Sequence, residues 1–458
     1  VLEGPFHEAP ALFVLDDFEQ NVERVGEGLK LDADGQAVLR QAPLEVLTSL
    51  LGALRKTGSA SRILVTCRYR LALPGPARLE PLELHHFSQA AQAKKLDQLQ
   101  SFTGEKRAAE ELRTRALALA AGNPRLLERL DKVLADRETD SAAVLAAMEA
   151  AAEAFREETL LRVLLDQQTP ACRRLLASLA LIHLPVDLAS AEAIADDADA
   201  ATHLSRSAAL GLVEQARLPG EAFPSFFVSP ILDPLLEGEL EPEPRQQALR
   251  RAARRLFEAW VEESARWTEA RGSEVLRLSL KTGEAETAAR ACSTLSHYLA
   301  NSARFREAVF VCERVATQVE HFLVLAGLAR SEAVIGRVSE ARRHSERAIA
   351  IAPRLESLDE EDKKVFAACL SNLAQIEQLE GRVGQARSLL ERSVGILEEV
   401  GDSRNWAVAM CNLVKIRFEQ GDLHFACERL REILGVQEKA GDSLGMMSTL
   451  NQLAMVLR

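Results

Sequence analysis

Gly381-Arg-Val-Gly-Gln-Ala386-Arg-Ser-Leu-Leu390 and Gly421-Asp-Leu-His-Phe-Ala426-Cys-Glu-Arg-Leu430 carry one pattern, forty residues apart. Each has a Gly, an Ala five positions on, and a Leu four beyond that. Gly belongs where a chain turns with φ > 0, and Ala where two helices approach closely. The same interval separates Leu373, Leu413 and Leu453, Asn372 and Asn412, and the pairs Gly401-Asp402 and Gly441-Asp442. The unit therefore reads helix, Gly turn, helix, Gly-Asp. Weaker copies lie upstream at Gly336 with Ala341 and at Phe305 with Ala308. Ala308 to Ala341 is 33 residues and Ala341 to Ala386 is 45, with the acidic loop Glu356–Asp362 accounting for the excess. A period of this size defines an α-solenoid, which fills the chain from about residue 241 to its end.

The rest of the composition agrees with a helical protein. Of 458 residues, 47% are apolar, 27% charged and only 5% aromatic, with Ala and Leu dominant. The net charge of −12 gives no general attraction for nucleic-acid phosphates. Seven cysteines, an odd number with no C-x-x-C pair, read as reduced, mostly buried residues of a cytoplasmic protein rather than zinc ligands or disulfides. No apolar run approaches the ~20 residues of a membrane span, and Glu149 and Glu153 interrupt the Ala-rich stretch Ala142–Phe155, which reads as a helix. The chain opens without Met and ends inside a repeating helix, so both ends are expected to continue in a larger protein.

Residues 1–80 differ in character. Ala11-Leu-Phe-Val-Leu-Asp16-Asp17-Phe18-Glu19 runs five apolar residues into two carboxylates, as a buried strand with acids at its carboxyl end. A helix over Leu44–Arg55 and a second apolar strand, Arg62-Ile-Leu-Val-Thr66, follow. Strand–helix–strand at this spacing predicts a right-handed crossover and a parallel sheet. Asp16 and Asp17 can hold a metal beside phosphates and orient a water, or simply cap the helix that follows. Arg68, just past the second strand, can reach a phosphate bidentately, or be a loop arginine, with Arg70 two residues on as the alternative working residue. Residues 81–160 read as helical, interrupted at Ala121-Gly122-Asn123-Pro124, where Pro124 is either a rigid apolar edge for a base or a plain helix break. Residues 161–240 read as helices followed by two short strands, Leu210–Glu214 and Phe226–Val228, around Pro219-Gly220-Glu221. That order outlines a winged helix. His85-His86 lack a third ligand at helical spacing and read as a solvated pair.

These features in this order resemble the STAND branch of P-loop ATPases, the group of the apoptotic ATPase and the NB-ARC proteins, and the repeat resembles lengthened tetratricopeptide repeats. Leu15-Asp-Asp-Phe-Glu-Gln-Asn21 with Thr66-Cys-Arg-Tyr69 looks most like bacterial members. The resemblance implies a mainly α chain: a remnant of a P-loop α/β NTPase core (1–80), a helical lid (81–160), a winged helix (161–240) and a TPR-like α-solenoid (241–458). It implies Mg²⁺ on Asp16, a catalytic role for Asp17 as the residue orienting the attacking water, and ATP or ADP contacted by Arg68, Gly122 and Pro124. It further implies a protein or peptide ligand on the solenoid, homo-oligomerisation on activation, and an N-terminal effector outside this chain, such as a caspase-like CHAT protease in bacterial defence. Two departures stand out. No G-x-x-x-x-G-K-[ST] occurs, so ATPase activity is expected of a longer protein and not of this chain alone. Ser229 stands where the family carries a nucleotide-sensing His. A transcription regulator and a non-catalytic scaffold are the alternative readings; the expected recognition helix, Ala201–Leu212, has Arg206 as its one cation, which argues against DNA. The solenoid groove is expected to be lined by Ser371, Gln375, Gln378, Cys411, Lys415, Phe418, Asn451 and Met455.

Overall fold

In the computed structural model the repeat positions become turns and crossings. The structure describes residues 10–457 except 17, 26–27, 58–59, 68, 75–78, 83–86, 104–106, 152–155 and 218–222. The chain divides into two compact units, residues 1–87 and 88–458.

In the first unit, β1 (Leu12–Leu15) and β2 (Arg62–Val65) form a parallel pair in which Leu12 faces Arg62 and Leu15 faces Val65. The helix between them, α1, spans Gln41–Thr57. A short parallel pair joins Ala37–Val38 to Leu71–Ala72. Phe18, Val22, Ala37, Leu39 and Leu47 form the core. The strands alternate: Phe13, Leu15, Ile63 and Val65 are half-buried, whereas Leu12, Val14 and Leu64 are 62%, 53% and 46% exposed. The strands expected to be buried are covered on one face, by α1 and its neighbours, and the period-2 alternation of a strand puts every second side chain on the other.

In the second unit, α2 (Gln89–Leu96), α3 (Glu110–Ala120), α4 (Pro124–Ala135), α5 (Ser141–Ala150) and α6 (Arg156–Asp166) come first. Next come α7 (Pro170–Leu179), β3 (Val186–Asp187), α8 (Leu188–Ala195), α9 (Ala200–Leu210), β4 (Val213–Ala216) and β5 (Ser225–Val228). The sheet is antiparallel in the order β3-β5-β4, the connectivity of a winged helix. The strand expected from Leu210 begins at Val213 instead. Leu210 completes α9, and Gly211 at φ 76° ends it, a conformation glycine adopts without strain. Pro219–Glu221 lies outside the described residues.

The solenoid follows as α10 (Pro242–Phe257), α11 (Glu269–Thr282), α12 (Ala285–Asn301), α13 (Phe305–Ala316), α14 (Phe322–Val334), α15 (Val338–Ile351), α16 (Glu360–Leu379), α17 (Val383–Glu399), α18 (Ser403–Glu419), α19 (Leu423–Ala440) and α20 (Ser443–Val456). Gly336, Gly381 and Gly421 take φ of 87°, 80° and 87° at the turns, and Ala341, Ala386 and Ala426 five residues on are completely buried. Two further copies obey the same rule. Gly283 at φ 71° precedes buried Ala288, and Ala303 at φ 58° precedes buried Ala308. One core runs from Leu99 through the winged helix to Leu328, and a second from Phe322 to Ile433. No described helix is long and apolar enough to cross a membrane.

Candidate functional site

The parallel register of β1 and β2 brings their carboxyl ends together. Thr66 N–H donates to Leu15 O and Phe18 N–H to Thr66 O, both at 2.9 Å, which locks the two strand ends side by side. Beyond them the exposed Asp16 carboxylate accepts a hydrogen bond from the Thr66 hydroxyl through Oδ1. The expected metal-holding residue and the second strand are therefore joined at one edge, where ligands of parallel sheets collect. An exposed carboxylate beside a hydroxyl is a hard-oxygen donor set that suits Mg²⁺. Asp17, Arg68 and the pair His85-His86 lie outside the described residues. Thr66 was legible as a strand end; its hydroxyl as the partner of Asp16 was not, because register becomes visible only when the strands are paired.

The second group of expected site residues forms the joint between α3 and α4. Ala121 at φ 46° and Gly122 at φ 80° end α3 in left-handed conformations. Asn123 caps α4, its side chain accepting from Leu126 N–H at 3.1 Å, and Pro124 occupies the first helical turn, where its missing N–H costs nothing. Gly122 is buried and Pro124 half-buried. The joint is a complete helix stop and start. Behind it, Arg129 of α4 lies 3.3 Å from Glu157 of α6 and donates to Gly211 O at 3.2 Å, tying the helical segment to the end of α9.

Arg206 in α9 is turned toward carboxylates, 2.5 Å from Glu138 and 3.9 Å from Asp136. Its charge is matched within the protein, which leaves this helix without a free cation for DNA. The winged helix is fastened to α11 by Glu274, 6% exposed, which accepts from His183 N–H at 2.8 Å and from Arg277 at 2.7 Å. Burial pushes the Glu274 carboxyl up, but Arg277 and the His183 N–H outweigh it and hold it below the usual carboxylate range.

On the solenoid, Gln375, Lys415, Asn451 and Met455 are exposed, while Gln378 and Phe418 are half-buried. Ser371 and Cys411 are drawn into helix contacts instead. The Ser371 hydroxyl is 2.9 Å from that of Ser393, and Cys411 Sγ is 3.9 Å from the Thr449 hydroxyl. All seven cysteines are free thiols, and no group of three His, Cys, Asp or Glu able to hold a metal occurs among the described residues.

No family model matches the sequence, and no curated protein does. Among solved structures, the chain is similar to a Signal Transduction ATPase with Numerous Domains (STAND) protein with a tetratricopeptide repeat sensor from Pyrococcus horikoshii, at TM-score 0.54 and 14% identity. That match covers 100% of this chain and 66% of the other, so the chain spans just under two thirds of that structure. A putative kinesin light chain with TPR-like repeats from Podosopora anserina matches 44% of the chain at TM-score 0.29 and 22% identity. The aspartyl phosphate phosphatase F of Bacillus subtilis matches 82% at TM-score 0.34 and 12% identity. The first similarity shows the fold alone: a mainly α chain ending in a solenoid of TPR-like helix pairs.

Proposed function

We propose that this chain is the switch-and-sensor part of a STAND-type signalling ATPase. One observation carries the reading: the junction of Asp16 and Thr66 at the carboxyl ends of two parallel strands, in a chain whose whole length follows the fold of a STAND protein with a TPR sensor. In this reading ATP or ADP binds at that edge of the longer protein. Asp16 holds Mg²⁺, which neutralises phosphate charge when bound. Thr66 orients the Asp16 carboxylate, Asp17 positions water, and Arg68 contacts phosphate. Gly122 and Pro124 remain, by the resemblance, further candidates for nucleotide contact. The solenoid binds a protein or peptide, and that binding, if it differs between nucleotide states, shifts the population toward an oligomer that activates an effector such as a CHAT protease. Such a switch needs a differential affinity of about 5.5 kcal/mol to move from 1:99 to 99:1.

The test is Asp16→Asn in the longer protein. Loss of Mg²⁺-dependent nucleotide affinity by tenfold or more, with the thermal unfolding temperature unchanged, is the expected result. Equal nucleotide affinity and equal output in variant and wild type would overturn the reading.

A further inference from the structure

α12, α14, α16 and α18 pack side by side, so residues one repeat apart line up in rows across them. One row runs through His297, Arg330, Gln375, Lys415 and Met455, at intervals of 33, 45, 40 and 40 residues. Its last three members are expected groove positions. This row contains no Asp or Glu, and neither do the rows one turn to either side, through Ser371 and Gln378. In a chain of net charge −12, Arg330 and Lys415 thus stand in the groove with no acid beside them along it. Lys415 is exposed and has no partner among the described residues. Such a groove is complementary to an acidic ligand.

Arg330 is set apart from the other arginines. From α12 to α20, every other half-buried arginine lies within 3.9 Å of a carboxylate. Arg330 has no such partner among the described residues, and its Nη1–H donates to His297 Nδ1 at 2.9 Å. Its Nε–H is enclosed and unmatched, but Nη2 keeps contact with solvent and has no partner among the described residues. A half-buried charge without a counter-charge is unfavourable, and burial accordingly draws the guanidinium below its ordinary value. His297 is exposed. An arginine can only donate, so His297 Nδ1 is the acceptor and the ring proton sits on Nε2. Partial burial and the Arg330 charge hold this histidine below its ordinary 6.5, which keeps the ring neutral at pH 7. The pair therefore carries one positive charge and a second, neutral donor. That charge matches a carboxylate better than a doubly charged phosphate.

We propose that the groove at Arg330 and His297 binds a carboxylate of an acidic peptide. Arg330 Nη2 donates to a carboxylate oxygen, His297 Nε2–H donates to another oxygen of the peptide, and Lys415, two repeats along the row, attracts acids further on. The carboxylate belongs to an Asp or Glu side chain or to the peptide's C-terminus, which present the same chemistry to a guanidinium. The proposal rests on the solenoid being a ligand-binding sensor but not on the nucleotide site, so its failure and that of the Asp16 reading are separable.

The probes are peptide pools in which X is an equal mixture of Ala, Leu, Ser and Asn: acetyl-XXX-Glu-XXX-amide, acetyl-XXX-Gln-XXX-amide, and acetyl-XXXXXX-Leu with a free carboxylate. Each is titrated to millimolar concentration into the chain labelled with ¹⁵N at histidine. His297→Gln identifies the His297 imidazole signals, and His203 and His344 serve as fold controls. The expected result is a saturable shift of the His297 signals with a carboxylate pool, absent with the Gln pool, and weakened at least tenfold in Arg330→Gln while the controls hold. The tighter of the Glu and free-carboxylate pools identifies the source of the carboxylate. If Arg330→Gln disturbs the controls, Gln375→Glu at an exposed position of the same row is titrated instead, and its like charge should weaken binding at least threefold. No shift with either carboxylate pool, an equal response to the Gln pool, unchanged affinity in the variants, or tighter binding of inorganic phosphate would each overturn the proposal.

Discussion

At the residue scale the turns explain themselves through one exception. Four of the five solenoid turns that precede a buried alanine use glycine, at Gly283, Gly336, Gly381 and Gly421, and the fifth uses Ala303 at φ 58°. A Cβ in the left-handed region costs roughly 1–2 kcal/mol, part of which glycine returns through the entropy of the unfolded chain. Ala303→Gly should therefore stabilise the protein by roughly 0.5–1 kcal/mol, raising its denaturation midpoint in urea with an unchanged slope. The alanines after the turns make the opposite case. Ala386 and Ala426 have no exposed surface, and Ala386→Leu should cost ~1–3 kcal/mol or more by overpacking α16 against α17. Either substitution giving no change would mean that the backbone of the solenoid is slack where it looks tight.

At the element scale, the joints between helices carry most of the specific chemistry. The joint between α3 and α4 depends on the Asn123 cap, and Asn123→Ala should cost about 1 kcal/mol, measured by equilibrium unfolding. The joint between the winged helix and α11 depends on Glu274. Its folded-state carboxyl lies below the ordinary value of 4.5. The stabilisation is therefore complete above that value and is lost as pH falls through the depressed folded one. Glu274→Gln should remove this part of the acid dependence and lower stability at pH 7, because Arg277 then loses its buried counter-charge. A stability-versus-pH curve from pH 7 to pH 3, run on both proteins, checks it; parallel curves would refute the assignment.

Legibility follows the same division. The Gly and Ala spacing announced the solenoid because a helix pair has few ways to turn and cross, and each way demands a small residue. The strand end at Asp16 was equally plain, since apolar residues followed by acids have a period and a stop. Ala303 was hidden because alanine carries no turn signal, although its distance of five from Ala308 would have revealed it. Arg330, Glu274 and the Thr66–Asp16 bond stayed hidden for another reason: each is defined by a partner from a different element, and one sequence records no pairings.

At the scale of the larger unit, one helix joins two cores. Val324 and Leu328 of α14 belong to the core that begins in the helical segment and passes through the winged helix, while Phe322, Leu323, Leu325 and Ala326 belong to the core that continues through α19. Ten of the thirteen residues of α14 are buried, so it has no solvent face along most of its length. Gly327 at its centre lets α12 and α13 close in, for a Cβ there would come within 2.7 Å of Ser296 Oγ and 3.5 Å of Cys312 Sγ. A helix packed this way is the physical means by which binding on the distal solenoid could be felt at the winged helix, since packed interfaces shift between discrete arrangements and do not stretch. Phe322→Ala removes packing only from the distal core and should cost ~3–5 kcal/mol. If α14 couples the two cores, hydrogen exchange at amides of α8 and α9, remote from the substitution, should accelerate along with that of α16. Acceleration confined to α14–α19 would show that the two cores open independently, and that a ligand on the distal repeats has no packed route to the winged helix.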